Sequence, residues 1–172
     1  MLRLLLLLAV SIQAAGANAQ TAEEAVALAA YGLEPGLATG SLCGDIQVPK
    51  VTPGSPAKYR FDCSYGDWFE TAIRQIDGCK FETLVTSNRD EMERRDVLDF
   101  SKFRGLLPAR GDAAKMGHFF DASPDFCTSS DGKSCMIEFT SMGSGQCCVL
   151  SGQIPRERVA SALSFISNNC RQ

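Results

Sequence analysis

Eight cysteines constrain the fold of this 172-residue chain more than any other feature of its sequence. An even cysteine count in an exported protein of this size is typical of a disulfide framework. Each bond contributes about 2–4 kcal/mol, mainly because it restricts the unfolded chain. We therefore predict that all eight form structural disulfides. They are Cys43, Cys63, Cys79, Cys127, Cys135, Cys147, Cys148 and Cys170.

The first residues have the pattern of a secretory signal peptide. Arg3 precedes an apolar run over residues 4–10, and small residues follow as far as Ala17-Asn18-Ala19. A charged start, a short apolar core and an A-x-A site are typical of a cleaved export signal. The apolar core is shorter than the ~20 residues that span a bilayer. We expect removal of residues 1–19 to leave a secreted or periplasmic protein, with the bacterial periplasm favoured, and no membrane anchor.

Residues 20–172 are predicted to form a single disulfide-rich α+β domain, because this length can bury a substantial core. Thr21 and Glu24 have capping-box spacing, which predicts a helix over residues 22–31. A second helix is predicted after Pro155, with Cys170 on its apolar face and bonded to a strand cysteine. The order of elements indicates an antiparallel sheet or partly closed barrel of five to seven strands, with the N-terminal helix and a C-terminal packing helix.

Alternating polarity predicts which strand residues face the core. Tyr59 and Phe61 alternate with charged residues, as do Leu98 and Phe100 with polar ones, so all four are expected to point inward. The mixed charges of residues 88–96 predict instead a solvated connection, either a loop or a short helix.

Two Asp-Gly turns predict β-hairpins. In the first, a three-residue loop over residues 76–78 would pair Gln75 with Cys79, because this register separates apolar from charged side chains. In the second, the same loop length over residues 130–132 places Cys127 opposite Cys135. Opposed residues approach closely enough for a disulfide, so we predict a Cys127–Cys135 bond.

The adjacent pair Cys147 and Cys148 lies in a segment that reads as a strand. Consecutive side chains in a strand point to opposite faces of the sheet. We therefore predict that the two cysteines bond to different partners rather than to each other. Cys43, in a proline-rich loop, and Cys170 are the expected outer partners.

Several function classes are disfavoured by composition. A formal net charge of −3 argues against nucleic acid binding, which needs a basic patch. A single histidine and no C-x-x-C motif argue against a metal site. The sequence also contains no phosphate-binding glycine loop, so we predict no cofactor and no metal.

A binding module is the function that remains best supported by the sequence. Tyr65 and Trp68 flank Gly66 at a predicted bend, where exposed aromatic side chains can form a recognition surface. They are the candidate binding residues, and a protein or a cell-envelope component is the expected partner.

Two enzymatic alternatives stay open. A small secreted or periplasmic enzyme could use His118 or paired carboxylates in a cleft. The candidate acids are Asp62, Asp67, Glu70, Asp96, Asp99, Asp121 and Asp125. The second alternative is a thiol redox protein, which a strained and reducible vicinal disulfide between Cys147 and Cys148 would support.

Overall fold

A six-stranded antiparallel sheet and two helices form the framework of the molecule. The computed structural model describes residues 21–40, 46–89, 91–107, 118–130, 135, 146–149 and 154–170. The helices are α1 (Ala22–Tyr31) and α2 (Arg156–Asn169). The strands are β1 (Thr39–Gly40), β2 (Ile46–Gln47), β3 (Lys50–Thr52), β4 (Ala57–Asp62), β5 (Trp68–Asp77), β6 (Lys80–Ser87), β7 (Glu93–Asp99), β8 (Phe103–Leu106), β9 (His118–Ala122), β10 (Cys127–Ser129) and β11 (Gln146–Val149).

The strands are arranged in one large and two small sheets. The large sheet has the order β10-β7-β6-β5-β4-β3, and every neighbouring pair is antiparallel. A three-stranded sheet has the order β11-β9-β8, and β1 pairs with β2. The predicted α+β class, with an N-terminal helix, a C-terminal packing helix and disulfide staples, is confirmed.

Helix α1 begins and ends where the sequence predicts. The Thr21 hydroxyl accepts from the Glu24 N–H at 3.1 Å, and the Glu24 carboxylate accepts from the Thr21 N–H at 2.9 Å. Gly32 ends the helix in a left-handed conformation, with φ of 66°. Residues 25–30 are all buried, because the helix packs against both β5 and α2. The small alanine side chains allow both neighbours to approach closely.

The core lies between the inner face of the large sheet and the helices. Tyr59 and Leu98 are fully buried there, and Phe61 and Phe100 are nearly so, as predicted. Phe100 belongs to a short 3₁₀ turn that follows β7. Four phenylalanines pack between the large sheet and the three-stranded sheet. Their rings make edge-to-face and tilted contacts, with ring centroids 5.2–6.5 Å apart. They are Phe100, Phe103, Phe120 and Phe126.

The predicted register of the first hairpin is wrong by two residues. Gln75 pairs with Phe81 rather than Cys79, and Asp77 pairs with Lys80. The register shifts between Gln75 and Asp77, so Ile76 is an extra residue on β5 and is exposed. This irregularity is a β-bulge, which shortens the turn to two residues while it keeps the apolar side chains on the inner face.

The charged segment 88–96 is also different from the prediction, because its second half is the start of β7. Glu93 opposes Thr86, and Asp96 opposes Thr83. The charges are accommodated on the two faces of the strand. Arg95 on the outer face contacts Glu82 at 3.0 Å, whereas Asp96 is buried on the inner face, 3.4 Å from Arg94.

Two disulfides join described residues, one over a long and one over a short sequence separation. Cys127 and Cys135 are bonded with a Cα–Cα distance of 6.2 Å, the pairing that the hairpin predicts. Cys79 and Cys170 are bonded with a Cα–Cα distance of 4.6 Å. Cys63 is also disulfide-bonded.

The partner of Cys170 corrects two expectations. Cys79 lies in the turn between β5 and β6, so α2 is attached to a turn and not to a strand. Cys170 is then unavailable to Cys147 or Cys148, because its sulfur is bonded to Cys79. Cys43 and the side chains of Cys147 and Cys148 lie outside the described residues.

Candidate functional site

A tight turn between β4 and β5 carries the aromatic residues that the sequence singles out. Residues Ser64–Gly66 form one 3₁₀ turn, in which Tyr65 has φ of 67° and ψ of 17°. Gly66 follows with φ of 82°. A left-handed conformation costs a residue with a Cβ about 1–2 kcal/mol, because the side chain crowds the following carbonyl oxygen. The turn therefore holds Tyr65 in a conformation that a tyrosine does not adopt without external support.

Hydrogen bonds from outside and within the turn provide this support. The Cys63 N–H donates to the Asp67 carbonyl at 2.8 Å. Asn88, from the segment after β6, accepts from the Trp68 N–H at 2.7 Å and donates to the Gly66 carbonyl at 3.0 Å. The disulfide of Cys63 adds a covalent attachment at the residue that precedes the turn. The backbone that presents Tyr65 is thus fixed on both sides.

The side chains at this turn form an exposed surface with a cation. Tyr65 is fully exposed, and Trp68 is half-buried on the outer face of the sheet. The guanidinium carbon of Arg60 lies 4.5 Å from the centroid of the Trp68 ring, within the range of a cation–π interaction. We call Arg60, Tyr65 and Trp68 the aromatic patch.

Asp62 orients the cation of the aromatic patch. Its carboxylate accepts from Arg60 Nε at 2.9 Å and also pairs with Lys50. Hydrogen bonds from Lys50 and then Arg60 lower the pKa of Asp62 below its usual value. Asp62 therefore stays ionised to a lower pH than an isolated aspartate, and it keeps Arg60 over the indole ring.

The sequence identifies Tyr65 and Trp68 but not Arg60. The signal that could have found Arg60 is the alternation along β4, which places it on the same outer face as Trp68. Strand β5 begins at Trp68, which opposes Asp62, so Arg60 is its diagonal neighbour. Diagonal neighbours in an antiparallel pair are within reach of long side chains.

His118 occupies a buried position in β9. Its Nε2 lies 2.7 Å from the carbonyl oxygen of Ile154 and, because a carbonyl can only accept, Nε2 carries the proton. This hydrogen bond joins β9 to the residues that precede α2. His118 is buried, and it lines neither the cleft between the two helices and the β3–β4 hairpin nor the smaller cleft beside Leu84 and Arg95.

The candidate carboxylates are dispersed and mostly engaged with bases or backbone. Asp121 contacts Arg104 at 2.9 Å, and Asp125 contacts Lys102 at 3.1 Å, which lowers the pKa of Asp125. Asp99 accepts from the N–H of Ser101 at 3.0 Å in the turn after β7. Glu70 pairs with Lys58 at 3.4 Å. Asp67 takes part in the turn through its backbone carbonyl.

One group of residues in the described chain has the composition of a metal site. Asp96, Cys127 and Cys135 place a carboxylate oxygen and two sulfur atoms within 4.8 Å of one another. The two sulfurs are bonded to each other, so they cannot serve as thiolate ligands in this state. Asp96 is also close to Arg94, which neutralises its charge.

Comparisons with known proteins add no relative to this description. No family model, no curated protein and no solved structure matches the chain. Among the described elements, no helix has both the length and the apolar character needed to cross a membrane.

Proposed function

We propose that this chain is an exported, disulfide-stabilised binding module that recognises a protein partner through the aromatic patch. The observation that carries the proposal is Tyr65, a fully exposed aromatic side chain in a left-handed conformation on an anchored turn. The exposed ring is not packed in the core, and the left-handed conformation is unfavourable for a residue with a Cβ. Backbone strain that the surrounding structure maintains is typical of functional sites.

The composition of the aromatic patch favours a protein as the partner. Tyrosine, tryptophan and arginine are the three residue types most enriched among residues that dominate protein interfaces. The neighbouring charges have both signs, since Lys50 and Asp62 lie beside Arg60. A mixed-charge surface complements another protein surface better than it complements a uniformly anionic polymer.

The anchored turn explains how a small surface can bind tightly. Ordering a mobile side chain or loop on binding costs free energy, and a pre-ordered turn avoids that cost. The hydrogen bonds of Asn88 and the disulfide of Cys63 supply this order before any partner arrives. Tyrosine adds a large contact area with only two side-chain torsions to fix.

Site-specific photo-cross-linking in the native host tests the proposal. A photoreactive amino acid replaces Tyr65, and in a matched strain it replaces Ile76, which is an exposed apolar residue on the far end of β5. We expect a discrete protein adduct from position 65 and none from position 76. Adducts with a glycan or another envelope polymer, equal adducts at both positions, or repeated absence of any adduct would each contradict the proposal.

N-terminal sequencing of the same material tests the export part of the proposal. Cleavage after Ala19 predicts that the protein recovered outside the cytoplasm starts at Gln20. An intact residue 1 on the recovered protein would show that residues 1–19 are not a cleaved signal.

A further inference from the structure

A cleft of about 610 Å³ lies on the side of the molecule formed by the two helices and the β3–β4 hairpin. This volume is within the range of small-molecule sites in proteins. Its apolar walls come from all of these elements, with Leu28 from α1, Leu33 after α1, Val51 from β3 and Ala162 from α2. None of these residues belongs to the aromatic patch.

Tyr59 on β4 also lines the cleft and provides its most informative polar group. The side chain is fully buried, and among the described residues its hydroxyl has no hydrogen-bond partner. Buried polar groups in folded proteins are nearly always hydrogen-bonded, so an exception needs an explanation. Burial, and then the charges of Glu24 and Glu34, raise the pKa of Tyr59, so the hydroxyl is protonated and can both donate and accept.

The charges around the cleft are unbalanced. Glu24 and Glu34 contribute two carboxylates, and Arg158 contributes one guanidinium, which pairs with Glu34. Glu24 has no basic partner within the described residues, and one of its oxygens accepts from the Thr21 N–H. The cleft therefore carries an excess negative charge on the side of Glu24, next to apolar walls.

We propose that the cleft binds a small organic monocation, made of one ammonium group on an apolar body. The ammonium donates to the Tyr59 hydroxyl oxygen and is neutralised by Glu24, and the apolar body packs against Leu28, Leu33 and Val51. A positive head group satisfies the unpartnered hydroxyl and the unbalanced carboxylate together. A neutral or anionic head group of the same size satisfies at most one of them.

Entry of such a ligand requires a local movement, because no solvent reaches Tyr59 in this conformation. The side chains of Arg158 and Glu34 are exposed by 46% and 25%, and both are long and flexible. Exposed ion pairs of this kind are weak. We expect the Arg158 side chain, which lines the cleft, to move aside when a ligand enters.

Titration calorimetry of the purified, oxidised protein with three probes of equal length tests the proposal. Hexylammonium is expected to bind saturably, and hexan-1-ol and hexanoate at least about tenfold more weakly, which corresponds to the loss of one charged hydrogen bond. Tyr59→Phe removes only the hydroxyl and should weaken hexylammonium binding about tenfold. Tyr65→Phe, the matched loss of an exposed hydroxyl outside the cleft, should leave it unchanged.

A second pair of variants separates charge from shape. Glu24→Gln removes the carboxylate charge but keeps the capping box, because glutamine completes the same motif, and it should weaken hexylammonium binding about tenfold. Arg158→Ala removes the competing cation that lines the cleft, so it should strengthen binding several-fold. Thermal unfolding of each variant verifies that it is folded.

Three results would overturn this inference. The first is the absence of saturable binding at hexylammonium concentrations up to about 10 mM. The second is equal affinity for hexan-1-ol and hexylammonium, and the third is an unchanged affinity for hexylammonium in folded Tyr59→Phe. None of them bears on the aromatic patch, since the two sites share no residue.

Discussion

The guanidinium carbon of Arg60 lies 4.5 Å from the centroid of the Trp68 ring, and Arg60 Nε donates to the Asp62 carboxylate at 2.9 Å. The cation is therefore fixed between an indole ring and a carboxylate on the outer face of the sheet. Because Trp68 is the single tryptophan of the chain, its fluorescence reports directly on this arrangement.

Acid should disrupt the aromatic patch at a pH below the usual aspartate range. The pKa of Asp62 is lowered by Lys50 and then Arg60. The stabilising interactions of its carboxylate are therefore complete above the pKa of an unfolded aspartate, about 3.9, and are lost as the pH falls through the lower pKa of Asp62 in the folded protein. We expect Trp68 fluorescence to change with a midpoint below about pH 3.9. The Asp62→Asn variant should not show this transition, whereas Asp125→Asn, which removes another carboxyl of lowered pKa away from Trp68, should retain it. The same midpoint in Asp62→Asn would contradict the assignment.

Replacing Tyr65 with glycine should separate stability from binding. Glycine adopts the left-handed conformation without a Cβ clash, so Tyr65→Gly should raise the free energy of unfolding by up to about 1 kcal/mol. The same change removes the aromatic side chain and should abolish partner binding. Urea unfolding followed by Trp68 fluorescence measures the first effect. A loss of more than about 1 kcal/mol would show that Tyr65 is a structural residue.

The buried carboxylate of Glu23 should be important for attaching α1 to the sheet. It accepts from the Ser55 hydroxyl at 2.9 Å and from the Gln75 N–H at 3.4 Å. Glu23→Ala leaves both donors without this acceptor, so we expect a loss of about 1–3 kcal/mol in urea unfolding. Glu157→Ala removes an exposed first-turn acid from α2 and should cost less than about 1 kcal/mol. Equal losses in the two variants would contradict the proposed role of Glu23.

The two described disulfides should differ in their contributions to stability. Cys79–Cys170 closes a loop of sequence separation 91, and Cys127–Cys135 one of separation 8. In the chain-entropy account, the longer loop contributes about 4–5 kcal/mol and the shorter about 2–3 kcal/mol. Urea unfolding of the two double Cys→Ala variants measures the difference. A larger loss on removal of Cys127–Cys135 would contradict this order.

Local signals made much of the fold predictable. The capping box at Thr21 and the left-handed Gly32 determine helix α1 from a few neighbouring residues, and polarity alternation identifies the inward side chains of β4. The Cys127–Cys135 pairing depends on the short segment between the two cysteines, so it too is a local feature. Interactions that form within a few residues leave a readable pattern in the sequence.

Features that depend on distant partners were not predictable. The charged start of β7 pairs with β6, where Glu82 lies diagonal to Arg95 and forms an ion pair with it, and a charge count over one segment cannot show this. The bulge at Ile76 shifts the register without changing the polarity pattern. The position of Arg60 over Trp68, and the Tyr59 hydroxyl that lacks a partner in the described part of the chain, were not predictable for the same reason. Each depends on elements that the sheet and the helices bring together.

The affinity of the cross-linked partner for the purified protein and two variants tests the central claim most directly. Tyr65→Ser and Ile76→Ser each remove one exposed apolar side chain from β5 or the turn before it. Truncation of a dominant interface residue costs about 2 kcal/mol or more, so Tyr65→Ser should weaken binding at least about 30-fold, and Ile76→Ser less than about threefold. Equal affinities of the wild-type protein and Tyr65→Ser would contradict the claim that the aromatic patch is the binding site.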